Sequence, residues 1–416
     1  MTTLETVPPA RAWPQEGPGR APYWVFSDPD VYAREQARIF RGPAWHYLGL
    51  EAEIPEPGSF KCTRIGDAPV IACRDDSGAF RALVNRCAHR GNLVCREEFG
   101  RAKEFYCVYH AWVYGLNGDL KSAAFRRGLR GEGGLPADFR LEDHGLEKLR
   151  CASFCGLVFA TYSPDTPPLA EWLGEAGDGI RRTLVRPLKV LGYDTQRINA
   201  NWKNYHENPR DSYHANILHS FYGTFGMSRQ SQESAMIIER SGRHQYFYTK
   251  AGTEKPSADY AAAASGLRSH NEGFRLEDHS ILEWQDEYGD GISVQILSLY
   301  PGFVLHQIAH SLATRQLVPN GPASCDLNWT YFGFADDSPE LAGRRLAQTN
   351  LVGSAGMVSM EDAAVCNMIR RATGGAGDAA SVMYMGGKDL AGGGASKLSE
   401  RGLRNFWHVY RADMGY

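Results

Sequence analysis

The sequence predicts an α+β protein in two parts, a small all-β domain followed by a larger domain that mixes helices with strands. Three observations carry that prediction. The chain has 416 residues, more than one hydrophobic core ordinarily organises. Residues 45–165 are dense in short strand-like runs separated by turn residues. Beyond a proline-rich break the pattern changes, and polar helix-like stretches alternate with long strand-like ones.

Residues 1–44 precede the strand-rich region and are expected to form an arm packed on the second domain. Within 45–165, APVIACR and AFRALVNR flank the turn Asp75-Asp76-Ser77-Gly78, and CVYHAWVY reads as a further strand ahead of the turn Leu116-Asn117-Gly118-Asp119. The segment Tyr162-Ser163-Pro164-Asp165-Thr166-Pro167-Pro168 can neither extend a strand nor sit inside a helix. It sets the boundary between domains at 45–165 and 166–416. In the second domain, residues near 200–220 read as helix, and GISVQILSLYPGFVLHQIAHSLATRQLVP and LNWTYFGF as strands. Residues 338–351 and 355–372 predict two helices separated by Gly353 and Gly356, and the glycine-rich stretch from Gly374 to Gly394 is expected to be mobile.

Composition narrows the function classes. Hydrophobic residues make up 43% and aromatic residues 11%, enough for a sizeable core. A mean hydropathy of −0.40 and the lack of an 18-residue apolar run argue against a membrane span. Proline and charge fall in the first 25 residues, where an export signal would need an unbroken apolar stretch, so a cytoplasmic protein is expected. A net charge of −3 supplies no broad attraction for nucleic acid or an anionic membrane, leaving small molecules and proteins as partners. Nine cysteines without an export signal direct attention to metal or redox chemistry rather than to a disulfide framework.

The cysteine spacing is informative. Cys87-Ala88-His89 and Cys107-Val108-Tyr109-His110 each supply one thiolate and one imidazole, with seventeen residues between the two groups. Thiolate suits ferric iron and bridging sulfide, and two imidazoles in place of two thiolates on one iron raise its reduction potential. This is the ligand set of a Rieske [2Fe-2S] cluster; a tetrahedral Cys2His2 zinc site draws on the same residue types. The remaining cysteines lack histidines at ligand spacing and read as buried small hydrophobes.

A second constellation lies in the stretch from Asn201 to His219. His214 and His219 are five residues apart, which on a regular helix would separate them by roughly 140°. If both bind one metal, the helix must break or bulge between them. Two histidines and one carboxylate leave positions open for dioxygen and substrate, as non-heme Fe(II) oxygenases require. The distant carboxylate is sought in the neighbouring pair Glu361-Asp362, either of which could serve.

The cluster spacing, followed about a hundred residues later by Asp211-x2-His214-x4-His219, resembles the large subunit of Rieske aromatic ring-hydroxylating oxygenases. Finer stretches, including Trp13-Pro14-Gln15-Glu16-Gly17 and Gly133-Gly134-Leu135-Pro136-Ala137-Asp138-Phe139, are similar to the branch acting on salicylate, anthranilate and terephthalate. The resemblance implies a helix-grip (START/Bet v1-like) catalytic domain with an antiparallel sheet, iron ligands His214, His219 and Asp362, and Asn208 close to the iron. It also implies trimers, either of this chain alone or with a small β subunit. In these, the Asp211 carboxylate links His110 of one subunit to His214 of the next. Electrons are implied to come from NAD(P)H through a separate ferredoxin or reductase, since no dinucleotide fingerprint is present here. This chain departs from its relatives at Asn204, His206, Pro209 and Ser354, and the first two could make the pocket more polar.

An anionic substrate needs a fixed cation, and arginine meets a carboxylate with planar bidentate geometry. The resemblance points to Arg315 for this role and to Lys397 as a second cation. The implied reaction is hydroxylation of an aromatic carboxylate by O2, with a salicylate-type substrate first and cis-dihydroxylation of anthranilate or terephthalate as the alternative. A protein of a different class, a Rieske electron carrier or sensor, would use the cluster without the second metal.

Overall fold

The computed structural model describes residues 11–225, 227–228, 232–252, 262, 265–266 and 276–416. Ten strands fall in the first part: β1 (His46–Leu50), β2 (Ser59–Ile65), β3 (Ala68–Arg74), β4 (Phe80–Val84), β5 (Phe99–Arg101), β6 (Phe105–Tyr106), β7 (Val113–Tyr114), β8 (Leu120–Ser122), β9 (Lys148–Phe154) and β10 (Leu157–Thr161). Seven of them form a sheet ordered β1-β10-β9-β4-β3-β2-β5, and β6-β7-β8 form a small sheet beside it. The β3–β4 turn closes as its sequence requires. Asp75 Oδ1 accepts from the backbone N–H groups of Ser77 (2.9 Å) and Ala79 (3.1 Å), and Gly78 takes a φ of +82° that a side chain would resist. CVYHAWVY differs from expectation. Only Val113 and Tyr114 are extended, because Cys107 starts a tight turn in which it accepts the N–H of Ala111 (2.9 Å).

The second part follows as α2 (Leu169–Leu173), α3 (Ala176–Thr183), β11 (Leu188–Ile198), α4 (Trp202–Glu207), α5 (Ala215–Leu218), α6 (Ser220–Phe225), β12 (Ser234–Ile238), β13 (His244–Lys250), β14 (Ile292–Leu299), β15 (Phe303–Ile308), β16 (Ser311–Pro319), β17 (Cys325–Phe334), α7 (Pro339–Ala347), α8 (Thr349–Val352), α9 (Met357–Thr373) and α10 (Arg401–Met414), with α1 (Pro29–Glu35) in the arm. Its sheet is antiparallel and ordered β11-β17-β16-β15-β14-β13-β12. Every residue of β15 and β16 is buried, His306, Gln307, Thr314, Arg315 and Gln316 among them, so these strands show no alternation of buried and exposed positions. One face packs on α2 and α3 and on Trp45, Tyr47, Leu157 and Phe159 of the first part. The other lies against Tyr205 of α4, Cys366 of α9 and the aromatic face of α10.

The arm ties this second face together. Fully buried Glu35 accepts from Trp202 Nε1 (2.8 Å), Lys203 Nζ (2.5 Å) and the Tyr410 hydroxyl (2.5 Å), joining α1 to α4 and α10. A buried carboxylate in this setting is tolerable only because three donors satisfy it. The glycine-rich stretch, expected to be mobile, is held instead. Ser381 and Met383 donate backbone hydrogen bonds to Ala21 and Gly19, and Gly394 pairs with Met236. Glycine composition lowers local stiffness, but backbone pairing to the arm offsets it. Among the described residues no helix is long and apolar enough to cross a membrane.

Candidate active site with two metal-ligand clusters

The first cluster rests on two turns built alike. Cys87 N–H donates to Asn92 C=O (2.8 Å) while Cys87 C=O accepts from Gly91 (2.9 Å); Cys107 makes the same pair with Trp112 and Ala111 (both 2.9 Å). Each turn buries its thiol, at 2% exposure for both cysteines, and carries its histidine outward. The His89 and His110 rings lie 4.5 Å apart, and His89 stacks on Trp112 at 5.0 Å. Tyr114 Oη lies 3.2 Å from Cys87 Sγ, and Asn92 Nδ2 donates to Cys107 Sγ (3.8 Å). Burial pushes the Cys87 thiol up; Cys107, also buried, is held down by the backbone N–H groups of Tyr109 and His110 and by Asn92.

Zinc and the two-iron cluster can be separated here. One tetrahedral ion would need all four ligand atoms close together. Among the described residues, the group that brings three such atoms within 4.8 Å of one another is His214, His219 and Asp362, not the two turns. Two thiols on the inside and two imidazoles on the outside suit two irons bridged by sulfide.

The second cluster is placed by α4 and its abrupt end. Asn201 caps α4 by accepting the N–H of Lys203 (3.1 Å), and Pro209, lacking an N–H, stops the helix after Asn208. Asp211 then turns the chain, its Oδ1 accepting from Tyr213 N–H (2.8 Å). His214 precedes α5, and His219 breaks it from α6 with φ −86° and ψ 89°. The predicted break is therefore present, and it turns both rings toward one point.

There His214 Nε2 lies 3.5 Å and His219 Nε2 3.2 Å from Asp362 Oδ1, in the second turn of α9. The opposite ring nitrogens face carboxylates: His214 Nδ1 is 3.1 Å from Asp211 Oδ2, and His219 Nδ1 2.7 Å from Glu361 Oε2. Each carboxylate holds a proton on Nδ1, which leaves both Nε2 lone pairs aimed inward. Three acceptors then converge on a buried point, where Asp362 Oδ1 makes no hydrogen bond. Such a point calls for a cation. The pKa shifts say the same. Burial lowers the pKa of His214, but the nearby Asp211 and Asp362 carboxylates overcome this and push it up to about 10. The two histidines in turn hold the Asp362 carboxyl far below its ordinary range despite burial. The residues present fit a mononuclear iron of the two-histidine, one-carboxylate kind. Asn208 Nδ2 is 3.3 Å from the same His214 Nε2.

The geometry separates the members of the acidic pair. Consecutive helical residues point roughly 100° apart, so Asp362 faces the centre while Glu361 reaches the back of His219. Glu361→Gln should weaken retention of the mononuclear iron about tenfold while leaving the cluster's visible absorption unchanged; metal titration with the absorption spectrum checks it.

The predicted cations are both buried. Arg315 on β16 is 5% exposed; Nη1 donates to Tyr205 Oη (2.9 Å), and Nη2 lies 2.6 Å from His306 Nδ1. Lys397 is 4% exposed, its Nζ donates to Ser228 Oγ (3.1 Å), and burial holds its amine down to about 7. Its carbonyl accepts from Ser212, beside Asp211 (2.9 Å). The expectation for His206 changes. Its ring packs 4.9 Å from Phe406 of α10 and accepts from Arg210 Nε (3.1 Å), so it belongs to helix packing. Sequence reasoning missed Tyr205 and His306, whose only signal was their place within the α4 and β15 runs.

Comparison with known proteins places the chain in a family. The family profile "Rieske [2Fe-2S] domain" matches residues 44–130, and "Ring hydroxylating alpha subunit (catalytic domain)" matches residues 185–415. The chain is 46% identical to the terephthalate 1,2-dioxygenase terminal oxygenase component subunit alpha 2 of Comamonas sp, covering 95% of each chain. It is 43% identical to the anthranilate 1,2-dioxygenase large subunit of Burkholderia cepacia, covering 97% of this chain and 95% of that one. With the salicylate 5-hydroxylase large oxygenase component of Ralstonia sp identity is 39%, over 97% and 96%. The fold matches naphthalene 1,2-dioxygenase from Rhodococcus sp. bound to indole with a TM-score of 0.79 at 23% identity, covering 95% and 94%. The chain therefore belongs to the Rieske non-heme iron ring-hydroxylating oxygenases, as the alpha subunit of a terminal oxygenase that carries a [2Fe-2S] cluster and a mononuclear iron.

Proposed function

We propose that this subunit hydroxylates an aromatic carboxylate, with Cys87, His89, Cys107 and His110 holding the cluster, His214, His219 and Asp362 holding the iron, and Arg315 receiving the substrate's carboxylate. The observation that carries the substrate class is Arg315. Among the described residues its hydrogen bonds go to a phenol and an imidazole and none to a carboxylate, and its Nε has no partner. A buried guanidinium without an anion is costly, and an incoming carboxylate would satisfy it. Its charge acts on both Tyr205 and Tyr222, as does that of Asp362, so these phenols are near both the arginine and the iron-ligand cluster.

When bound, the cluster stores an electron and the iron activates dioxygen. The chain's own residues do the rest. Asp211 and Glu361 orient the two imidazoles, Asn208 lies beside the metal-facing nitrogen of His214, and burial of Asp362 keeps the centre dry. His110 Nδ1 is buried without a partner among the described residues, which suits it to hold the cluster and leaves Nε2 as the nitrogen that Asp211 of an adjacent subunit would meet in a trimer. A ferredoxin or reductase fed by NAD(P)H delivers the electrons, and a small β subunit completes an α3β3 form of that trimer.

Salicylate, the substrate type first implied by the resemblance, offers one carboxylate. Terephthalate offers two and would engage Lys397 as well as Arg315. The 46% identity to the terephthalate relative favours this second reading, with cis-dihydroxylation as the outcome. Reconstitution with an electron donor and a panel of the three acids, followed by product identification, tests both. Arg315→Gln should raise KM for the accepted acid by about tenfold or more with kcat less affected, and an unchanged KM removes the clamp.

A further inference from the structure

We propose that His306 is a positioning residue that presents Arg315 to the substrate with its charge uncancelled, so that selection of an acid over its neutral amide depends on this imidazole. The inference rests on the reading of Arg315 as the carboxylate receiver. Its basis is the register of the sheet. His306 on β15 pairs with Ala313 on β16, which puts Arg315 diagonally next to it on the same face, and Arg315 pairs with Trp329 on β17. The guanidinium lies over the Trp329 ring at 4.4 Å, and the ring limits its tilt.

The chemistry of the contact fixes the state of His306. Arginine nitrogens only donate, so Nδ1, at 2.6 Å from Nη2, must offer its lone pair. The ring proton is then on Nε2, which faces Ser311 Oγ at 3.5 Å. Complete burial and the adjacent guanidinium both keep the ring from gaining a second proton. The imidazole is therefore a neutral acceptor. Tyr205, the other acceptor, is a phenol whose own ionisation burial opposes. An aspartate or glutamate at position 306 would hold the arginine equally well in space but would neutralise it. Two neutral acceptors hold the fork in place and leave a full positive charge for the ligand, together with an unpartnered Nε–H.

The test compares terephthalate, anthranilate and salicylate, each with its own primary amide, in the reconstituted holoenzyme and its variants. His306→Asp should lower the ratio of kcat/KM for acid over amide by about tenfold or more, mainly through KM for the acid. His306→Asn, which keeps a neutral acceptor, should recover most of the preference, a recovery that a purely structural role would not predict. If the aspartate variant does not fold, His306→Ala serves, with KM for the acid raised several-fold and kcat within about threefold. An acid-to-amide ratio unmoved in His306→Asp, or a KM unmoved in His306→Ala, overturns the proposal. Arg315→Gln separates the two levels. If it raises KM and the His306 variants do not, the clamp stands and the positioning role falls; if it leaves KM unchanged, the clamp itself falls.

Discussion

Asp211→Ala is expected to leave both metal centres loaded and yet cut steady-state turnover by about 100-fold or more. The carboxylate does two things on the proposed reading. Within the subunit it sits 3.1 Å from His214 Nδ1 and fixes the proton there, so the Nε2 lone pair meets the metal. Across subunits it would meet the His110 ring at the nitrogen that the cluster does not use. Alanine removes both at once. The Asp211 side chain is 20% exposed, so its loss opens no core cavity and the fold should persist. Metal analysis, the Rieske spectrum and single-turnover kinetics distinguish the cases. Normal metal content with slow reoxidation of the reduced cluster is the expected pattern, and wild-type turnover would remove the bridge.

The second large effect is expected at Asp362. Replacing it with alanine should lower iron from about three to about two atoms per chain, retain the Rieske spectrum and abolish hydroxylation. The reason is charge. Two neutral imidazoles at a buried point cannot hold a dication as tightly as the same pair with a carboxylate. Asp362 is buried and its Oδ1 has no hydrogen-bond partner among the described residues, so its charge is left for a cation to meet. Asp362→Ala that keeps about three irons and full activity would show that another group completes the site. Two irons in the wild-type chain would instead favour an electron carrier, the different-class alternative left open by the cluster motif alone.

Legibility followed sequence separation. The cluster turns were readable because each pairs a cysteine with a histidine two or three residues on, and a local spacing survives without knowledge of the fold. The break at His219 was readable too, since a five-residue spacing cannot place two rings on one side of a regular helix. The strand assigned to CVYHAWVY failed at its first six residues. Val108 and Tyr109 are half exposed there, so the apolar composition that read as a strand belongs to a turn whose thiol alone points inward. The glycine-rich stretch was misjudged because its backbone partners lie in distant segments, the arm and Met236 of β12.

By itself, the order of residues determined the chemistry on offer: a thiolate and imidazole set for an iron-sulfur cluster or zinc, two histidines awaiting a carboxylate, and an arginine in a strand. Only the tertiary structure decided which groups meet. Helix phase on α9 assigns Asp362 to the centre and Glu361 to the back of His219, and sheet register brings His306 beside Arg315. These are contacts between segments far apart in the chain. Their selection comes from the packing of helices on a sheet, and no local spacing encodes it.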